Sequence, residues 1–269
     1  MMHQFTGCCR RYRIFIIPYI VLILLSITAS FTSQAGLEEG FTAYKRGDYL
    51  SAYKEWRPIA EQGDAIAQHN LGILYFDGQG VQQDYEQAAA WHRKAADQGF
   101  AAAQTSLGMM YQKGQGVQQD YEQAAAWHRK AADQGFALAQ QILGTIYFSG
   151  RGIQQDYAKA AFWYREAGEQ GNQWAQLGLG TMYENGLGVR KSYVQAALWY
   201  NKAAEQGNAA AQNNLAVLYS KGQGVPQDYE QAEAWLRKAA EQGEDQAKKN
   251  LRRLNERAAY IRRNKEINN

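Results

Sequence analysis

The sequence predicts an all-α chain, a solenoid of stacked helix–turn–helix repeats, and three observations carry that reading. A pattern beginning at Ala65 returns every 36 residues: Leu71, Leu107, Leu143, Leu179 and Leu215 fill one position. Trp91, Trp127, Trp163, Trp199 and Trp235 fill another. Within each copy, small and apolar residues recur at helical spacing on both sides of a Gly-x-Gly turn. A period of this length marks supersecondary units too small to bury their own apolar faces, which they bury against their neighbours.

The elements are taken in chain order. Residues 1–35 read as a secretory signal peptide. Arg10, Arg11 and Arg13 form a basic start, Ile14 to Ile27 an apolar run, and Ser33-Gln34-Ala35 a small-x-small end. The run is short for a membrane span, which needs roughly 20 apolar residues. An uncleaved N-terminal anchor is the alternative, and membrane contact is then confined to this leader. The arginines stay cytoplasmic in both cases, so the expected location of the repeats is periplasmic or secreted. Cys8 and Cys9 also fall here, so the remaining chain has no thiol chemistry.

Residues 36–64 look like a divergent first repeat, in which Phe41, Tyr44, Gly47-Asp48-Tyr49, Ala52 and Trp56 echo the later helix pair without its turn insertion. Pro58 is expected to kink its second helix. Residues 65–244 hold five full repeats. In the first, Ala67, Leu71, Gly72 and Tyr75 make one stripe of helix one, and Gly78 ends that helix in the left-handed conformation. Asp84 caps helix two, and Gln87 is placed to close a capping box. The box recurs as Asp120/Gln123, Ser192/Gln195 and Asp228/Gln231, whereas Asp156 faces Lys159 and keeps only the cap. Tyr85, Ala88, Trp91 and Ala95 are expected to be the buried stripe of helix two, which Gly99 ends. Gly78–Phe100 and Gly114–Phe136 are identical. Residues 245–269 read as a closing helix with a basic outer face and tail.

The totals exclude one class of function. The chain carries 29 basic and 26 acidic residues. Three of the basic ones lie in the leader, which holds no acid, so the rest of the chain is neutral, 26 against 26. A nucleic-acid binder would show a basic excess there.

The consensus, Ala-x-Ala-Gln-x-x-Leu-Gly-x-x-Tyr-x-x-Gly-x-Gly-Val-x-x-Asp-Tyr-x-x-Ala-x-x-Trp-x-x-Lys-Ala-Ala-x-Gln-Gly, closely resembles the Sel1-like repeat, a relative of the tetratricopeptide repeat. Departures are local: Ala216, Ser192, Glu166 and Gly168. The resemblance implies an α/α right-handed superhelical solenoid that serves as an adaptor or scaffold for other proteins. It also implies that helix one of each repeat lines the concave face.

No constellation for catalysis, metal or cofactor stands out. Counting Trp56, six of the seven tryptophans read as one core position, and Trp174 stands apart. His69, His92 and His128 are expected to be solvated, and His92 and His128 lie too far apart to share a metal. Ser51-Ala52-Tyr53-Lys54 matches the Ser-x-x-Lys of penicillin-recognising enzymes, but the companion Ser-Asp-Asn and Lys-Thr-Gly motifs are absent. A hydrolase using Ser51 and Lys54 is therefore the alternative to a non-enzymatic scaffold, and a self-associating architectural solenoid is a third reading. Gly78-Gln79-Gly80 lacks the third glycine of a dinucleotide site.

The expected ligand is a protein or peptide on the helix-one face, where off-consensus columns are free of structural duty. His69, Phe76, Gln112, Phe148, Trp174 and Glu184 are the candidate binding residues. Phe76, Phe148 and Trp174 are expected to be exposed anchors among amides and carboxylates.

Overall fold

The computed structural model describes residues 34–267, with side-chain surroundings up to residue 257. The predicted signal peptide thus lies almost wholly outside the described residues. Among them the chain is all helix and turn. Helix α1 covers residues 34–45 and α2 Tyr49–Glu61. Five helix pairs come next: α3 (Ala65–Asp77) with α4 (Tyr85–Asp97), α5 (Ala101–Lys113) with α6 (Tyr121–Asp133), α7 (Ala137–Ser149) with α8 (Tyr157–Glu169), α9 (Gln173–Asn185) with α10 (Tyr193–Glu205), and α11 (Ala209–Lys221) with α12 (Tyr229–Glu241). Helix α13 spans Asp245–Ile267. The architecture is the predicted α/α repeat solenoid. Helix α2 runs through Pro58 without interruption. Two compact units divide the chain: residues up to 103 with 115–117, and residues 104–114 with 118 onward. Within each, consecutive helices pack on one another, and both are built on the same rules.

Helix one ends where a glycine takes positive φ, as Gly78 does at 68° and Gly186 at 73°. The second glycine of the turn answers to crowding. A Cβ on Gly152 would lie 2.2 Å from the Tyr121 Cβ, and one on Gly188 2.2 Å from the Tyr157 carbonyl carbon. The turn therefore rests directly on the first residue of the preceding repeat's helix two, which only glycine permits.

Helix two is capped as expected in one direction. The Asp84 carboxylate accepts the Gln87 amide at 2.9 Å, and Asp120, Asp156, Ser192 and Asp228 do the same in their repeats. The return bond of a capping box is not made. The backbone N–H of each capping residue donates instead to the helix-one tyrosine carbonyl, Asp84 to Tyr75 at 2.9 Å and Ser192 to Tyr183 at 2.9 Å. The long turn brings that carbonyl back to the start of helix two, and the glutamine has no donor left to satisfy. A different glutamine braces the turn: Gln83 donates to the Phe76 carbonyl at 2.9 Å, as Gln119, Gln155 and Gln227 do to Gln112, Phe148 and Ser220.

The core corrects the expected helix-two stripe. Tyr85 is half-buried, and the deepest positions are Ala88, Ala89, His92, Ala95 and Ala96. His92 and His128 are not solvated. They are buried, at 2% and 0% exposure. Their column continues as Tyr164, Tyr200 and Leu236, and each ring packs closely against the helix-one glycine of its own repeat. A Cβ on Gly72 would meet the His92 ring at 2.5 Å, and one on Gly180 the Tyr200 ring at 2.6 Å. Trp56 belongs to this column too. It stands 36 positions before His92 and presses on Gly40, so the reading that groups it with Trp91 is out by one position. Where the last repeat has Leu236 instead of a ring, its helix one carries Ala216 instead of glycine.

The five remaining column tryptophans are buried to different depths, Trp127, Trp163 and Trp199 within the core and Trp91 and Trp235 at its edge. A lysine one turn on covers four of them, Lys94 lying 3.8 Å above the Trp91 ring and Lys202 4.3 Å above Trp199. Successive repeats are joined where Gln140, Gln176 and Gln212 of helix one donate to the Ala132, Gly168 and Ala204 carbonyls of the preceding helix two, at 3.3, 2.9 and 3.1 Å. A glutamine clasp ties helix two of each repeat back to its own helix one. Gln170 donates to the Gln140 amide oxygen at 2.8 Å, and Gln98, Gln134, Gln206 and Gln242 each reach back to Gln68, Gln104, Gln176 and Gln212 in the same way. These acceptors are buried, so the clasp satisfies groups that would otherwise lose water without replacement.

Candidate functional site

In the first compact unit, His69 and Phe76 both turn inward. The His69 and His92 Nδ1 atoms are 3.2 Å apart, and Phe100 packs edge-on against the His69 ring with centroids 5.3 Å apart. Burial depresses both imidazoles, His69 to about 4 and His92, beside it, to about 3, so the pair is neutral near pH 7. Two neutral rings sharing one proton-donor contact hold each other in place; the arrangement is a packing device. Phe76 is half-buried rather than exposed, edge-on to Tyr85 at 5.1 Å, because the turn folds Tyr85 back over it.

The second compact unit holds Gln112, Phe148, Trp174 and Glu184. Phe148 repeats the role of Phe76, edge-on to Tyr157 at 5.4 Å and half-buried. Glu184 accepts a 2.6 Å hydrogen bond from the Tyr200 hydroxyl, whose ionisation is raised by burial first and by that bond second. Its charge is thereby committed within the repeat. Trp174 is open, 59% exposed, at the start of α9, and Leu138 at the equivalent place in α7 is 43% exposed. Gln112 lines a groove.

That groove has a volume of about 470 Å³ and runs over the end of α5, the start of α6 and α7 from Gln141 to Ser149. Ile142 and Ile146 contribute apolar floor, Gln112, Gln141 and Thr145 amide and hydroxyl groups, and Lys113 and Arg151 positive charge. No carboxylate lines it. Gln141 donates its side-chain N–H to the Thr145 hydroxyl at 3.1 Å, while Thr145 bonds the Tyr164 hydroxyl at 3.0 Å, so the polar wall is braced from the core. The Arg151 guanidinium lies over the Tyr121 ring, 5.6 Å from its centroid.

Sequence reasoning names Gln112 but passes over Arg151. The signal is present: in that column the other repeats carry Gln79, Gln115, Leu187 and Gln223. The other four copies fold without a charge there, so the repeat fold does not require it.

Elsewhere chemistry is sparse. The Asp48 carboxylate accepts the Ser51 amide at 3.1 Å and the Ser51 hydroxyl as well, so Ser51 serves the start of α2. Lys54 is exposed, and no bond joins the two. Among the described residues no cluster of three or more His, Cys, Asp or Glu is disposed to hold a metal, and no helix is long and apolar enough to cross a membrane.

The family model for the Sel1 repeat matches residues 65–100, 101–136, 137–172, 175–208 and 209–244. Among solved structures, the chain is similar to c5321 of Escherichia coli, described as a protective antigen of uropathogenic strains displaying an SLR fold. The two are 42% identical with a TM-score of 0.78, over 86% of this chain and 50% of that one, so the chain spans about half the antigen's length. It is similar also to a Sel1 repeat protein from Oxalobacter formigenes, 37% identical with a TM-score of 0.75, over 82% of this chain and 86% of the other. No curated protein matches the chain.

Proposed function

The chain belongs to the Sel1 repeat family, and from that membership we propose that it is a non-enzymatic adaptor of the cell envelope or its exterior, holding a partner protein on its helix-one face. The family is one of protein–protein interaction scaffolds, which supports a protein partner in general. The observation that carries the finer reading is the groove over α5 and α7, whose amide, hydroxyl and charged groups stand over an apolar floor. Apolar pockets supply desolvated anchoring, and amides fix the register of a bound backbone. Export rests on the sequence of the leader. The likeness to a protective antigen of a uropathogen is in keeping with a protein that meets the outside. Ser51 and Lys54 add nothing to a hydrolytic reading.

The test is crosslinking of the full chain in intact cells, with capture and mass spectrometry of the bound proteins. It is run beside a Gln141→Ala/Trp174→Ala variant whose helicity is first checked by circular dichroism. A protein recovered with the parent and lost with the variant supports the helix-one face. Equal recovery by both overturns it, and fractionation to the cytoplasm overturns the envelope location.

A further inference from the structure

We propose that the groove over α5 and α7 is selective for an acidic peptide segment, taking an apolar side chain onto Ile142 and Ile146 and pairing the segment's carboxylates with Lys113 and Arg151. This rests on the reading of the helix-one face as a protein-binding surface and names the chemistry of the segment that binds there.

The repeats provide internal controls. Position by position, Lys113 corresponds to Asp77, Ser149, Asn185 and Lys221, and Arg151 to three glutamines and a leucine. Ile142 corresponds to Asn70, Ser106, Gly178 and Asn214. Four of the five repeats thus fold without a cation at the Arg151 position and without an apolar residue at the Ile142 position. Both departures meet in one groove. Lys113 and Arg151 are exposed, and among the described residues neither forms an ion pair with a carboxylate, whereas Lys159, Arg57, Arg237 and Lys248 all do. The groove they line holds no carboxylate to pair with them.

Arg151 is also oriented. Its guanidinium rests on the Tyr121 ring, a contact that restricts the side chain while leaving its N–H donors free for a carboxylate. Less rotamer freedom is then lost on binding. The Gln141 amide is held by Thr145, and its oxygen is free to accept a backbone N–H. The apolar floor argues against a bare inorganic anion. Two isolated cations in a neutral body argue against a polyanion, which needs a continuous basic track.

The experiment uses the full chain and fluorescein-labelled dodecapeptides of one design, with a central Leu-Ile pair flanked by four Glu, four Gln or four Lys. Binding is followed by anisotropy at 50 and 300 mM salt. The acidic peptide is expected to bind at least tenfold tighter than the Gln peptide and to weaken with salt, and the Lys peptide not to bind. Lys113→Ser/Arg151→Gln places at both sites residues that other repeats already carry, so folding is retained. It should cost about tenfold in affinity for the acidic peptide and leave the Gln peptide unchanged. Equal binding of the Glu and Gln peptides, or an unchanged affinity in the double variant, overturns the acidic preference alone. Binding of no peptide, while Gln141→Ala/Trp174→Ala still loses a crosslinked partner, overturns this proposal and leaves the adaptor reading standing. Loss of neither overturns both.

Discussion

Acid should loosen this solenoid well above the pH at which its carboxylates titrate. The perturbation is the protonation of His69, His92 and His128, held neutral by burial with pKa values near 4, 3 and 4 against 6.5 in an exposed chain. Neither ring nitrogen of His128 has a hydrogen-bond partner to offset a charge. Below pH 6.5 the unfolded chain takes up protons that the native rings refuse. Stability is therefore full above about pH 6.5 and falls towards pH 3–4, where the native rings protonate in turn. At pH 5 each ring costs about 2 kcal/mol by linkage, and the three together about 4–6 kcal/mol once His69 and His92 are treated as one coupled pair. That rivals the whole stability of many domains. Asp48, Asp156 and Asp245 are held below the usual carboxylate range by hydrogen bonds and contribute only at lower pH, so the window from 7 to 4.5 isolates the imidazoles. The assay is the urea midpoint by circular dichroism across that window, for the parent and for His92→Leu/His128→Leu. The parent should lose most of its midpoint by pH 4.5, and the variant, whatever its stability at pH 7, should show about a third of that slope. A flat parent profile, or an equal slope in both, would refute the reasoning.

Contacts between the two helices of a repeat give two further expected outcomes. Gly180→Ala forces a Cβ to within 2.6 Å of the Tyr200 ring and should cost about 1–2 kcal/mol, overpacking outweighing the gain in helix propensity. Adding Tyr200→Leu recreates the Ala216/Leu236 pair, so the double-mutant cycle should show a favourable coupling of about 1 kcal/mol; additivity within about 0.3 kcal/mol would show that the ring does not dictate the glycine. Gln170→Leu removes the donor from the Gln140 oxygen and should cost about 1–2 kcal/mol in denaturant titration, and a neutral result would mean that water replaces the clasp.

The repeat, its turn and its helix ends are legible in the sequence because each is set by a local demand: a left-handed glycine, a capping carboxylate, an apolar stripe. The column of His92 is not, because polarity there is no guide to exposure. Its burial depends on a glycine some 20 residues away opening room for a ring, and nothing near His92 signals that. Residue type groups Trp56 with the later tryptophans, yet its distance from Asp48 sets its column. The return half of the capping box fails because a tyrosine carbonyl reaches the capping N–H first. At the candidate site Trp174 is exposed as expected, but Phe76 and Phe148 face their own repeats. The groove cations become visible as a set only when α5 and α7 are laid side by side.

The helix-one glutamine that donates to the preceding helix two and the seated turn have a bearing on how such a chain changes over time. Each repeat offers the same acceptors to the repeat after it and the same donors to the repeat before it, so the joints are interchangeable along the series. The identical stretches Gly78–Phe100 and Gly114–Phe136 are what an in-register duplication leaves behind. Copy number can thus rise or fall in steps of one repeat with every junction still matched. A new copy brings a fresh helix-one face, on which a residue such as Arg151 can arise without disturbing the joints that carry the fold.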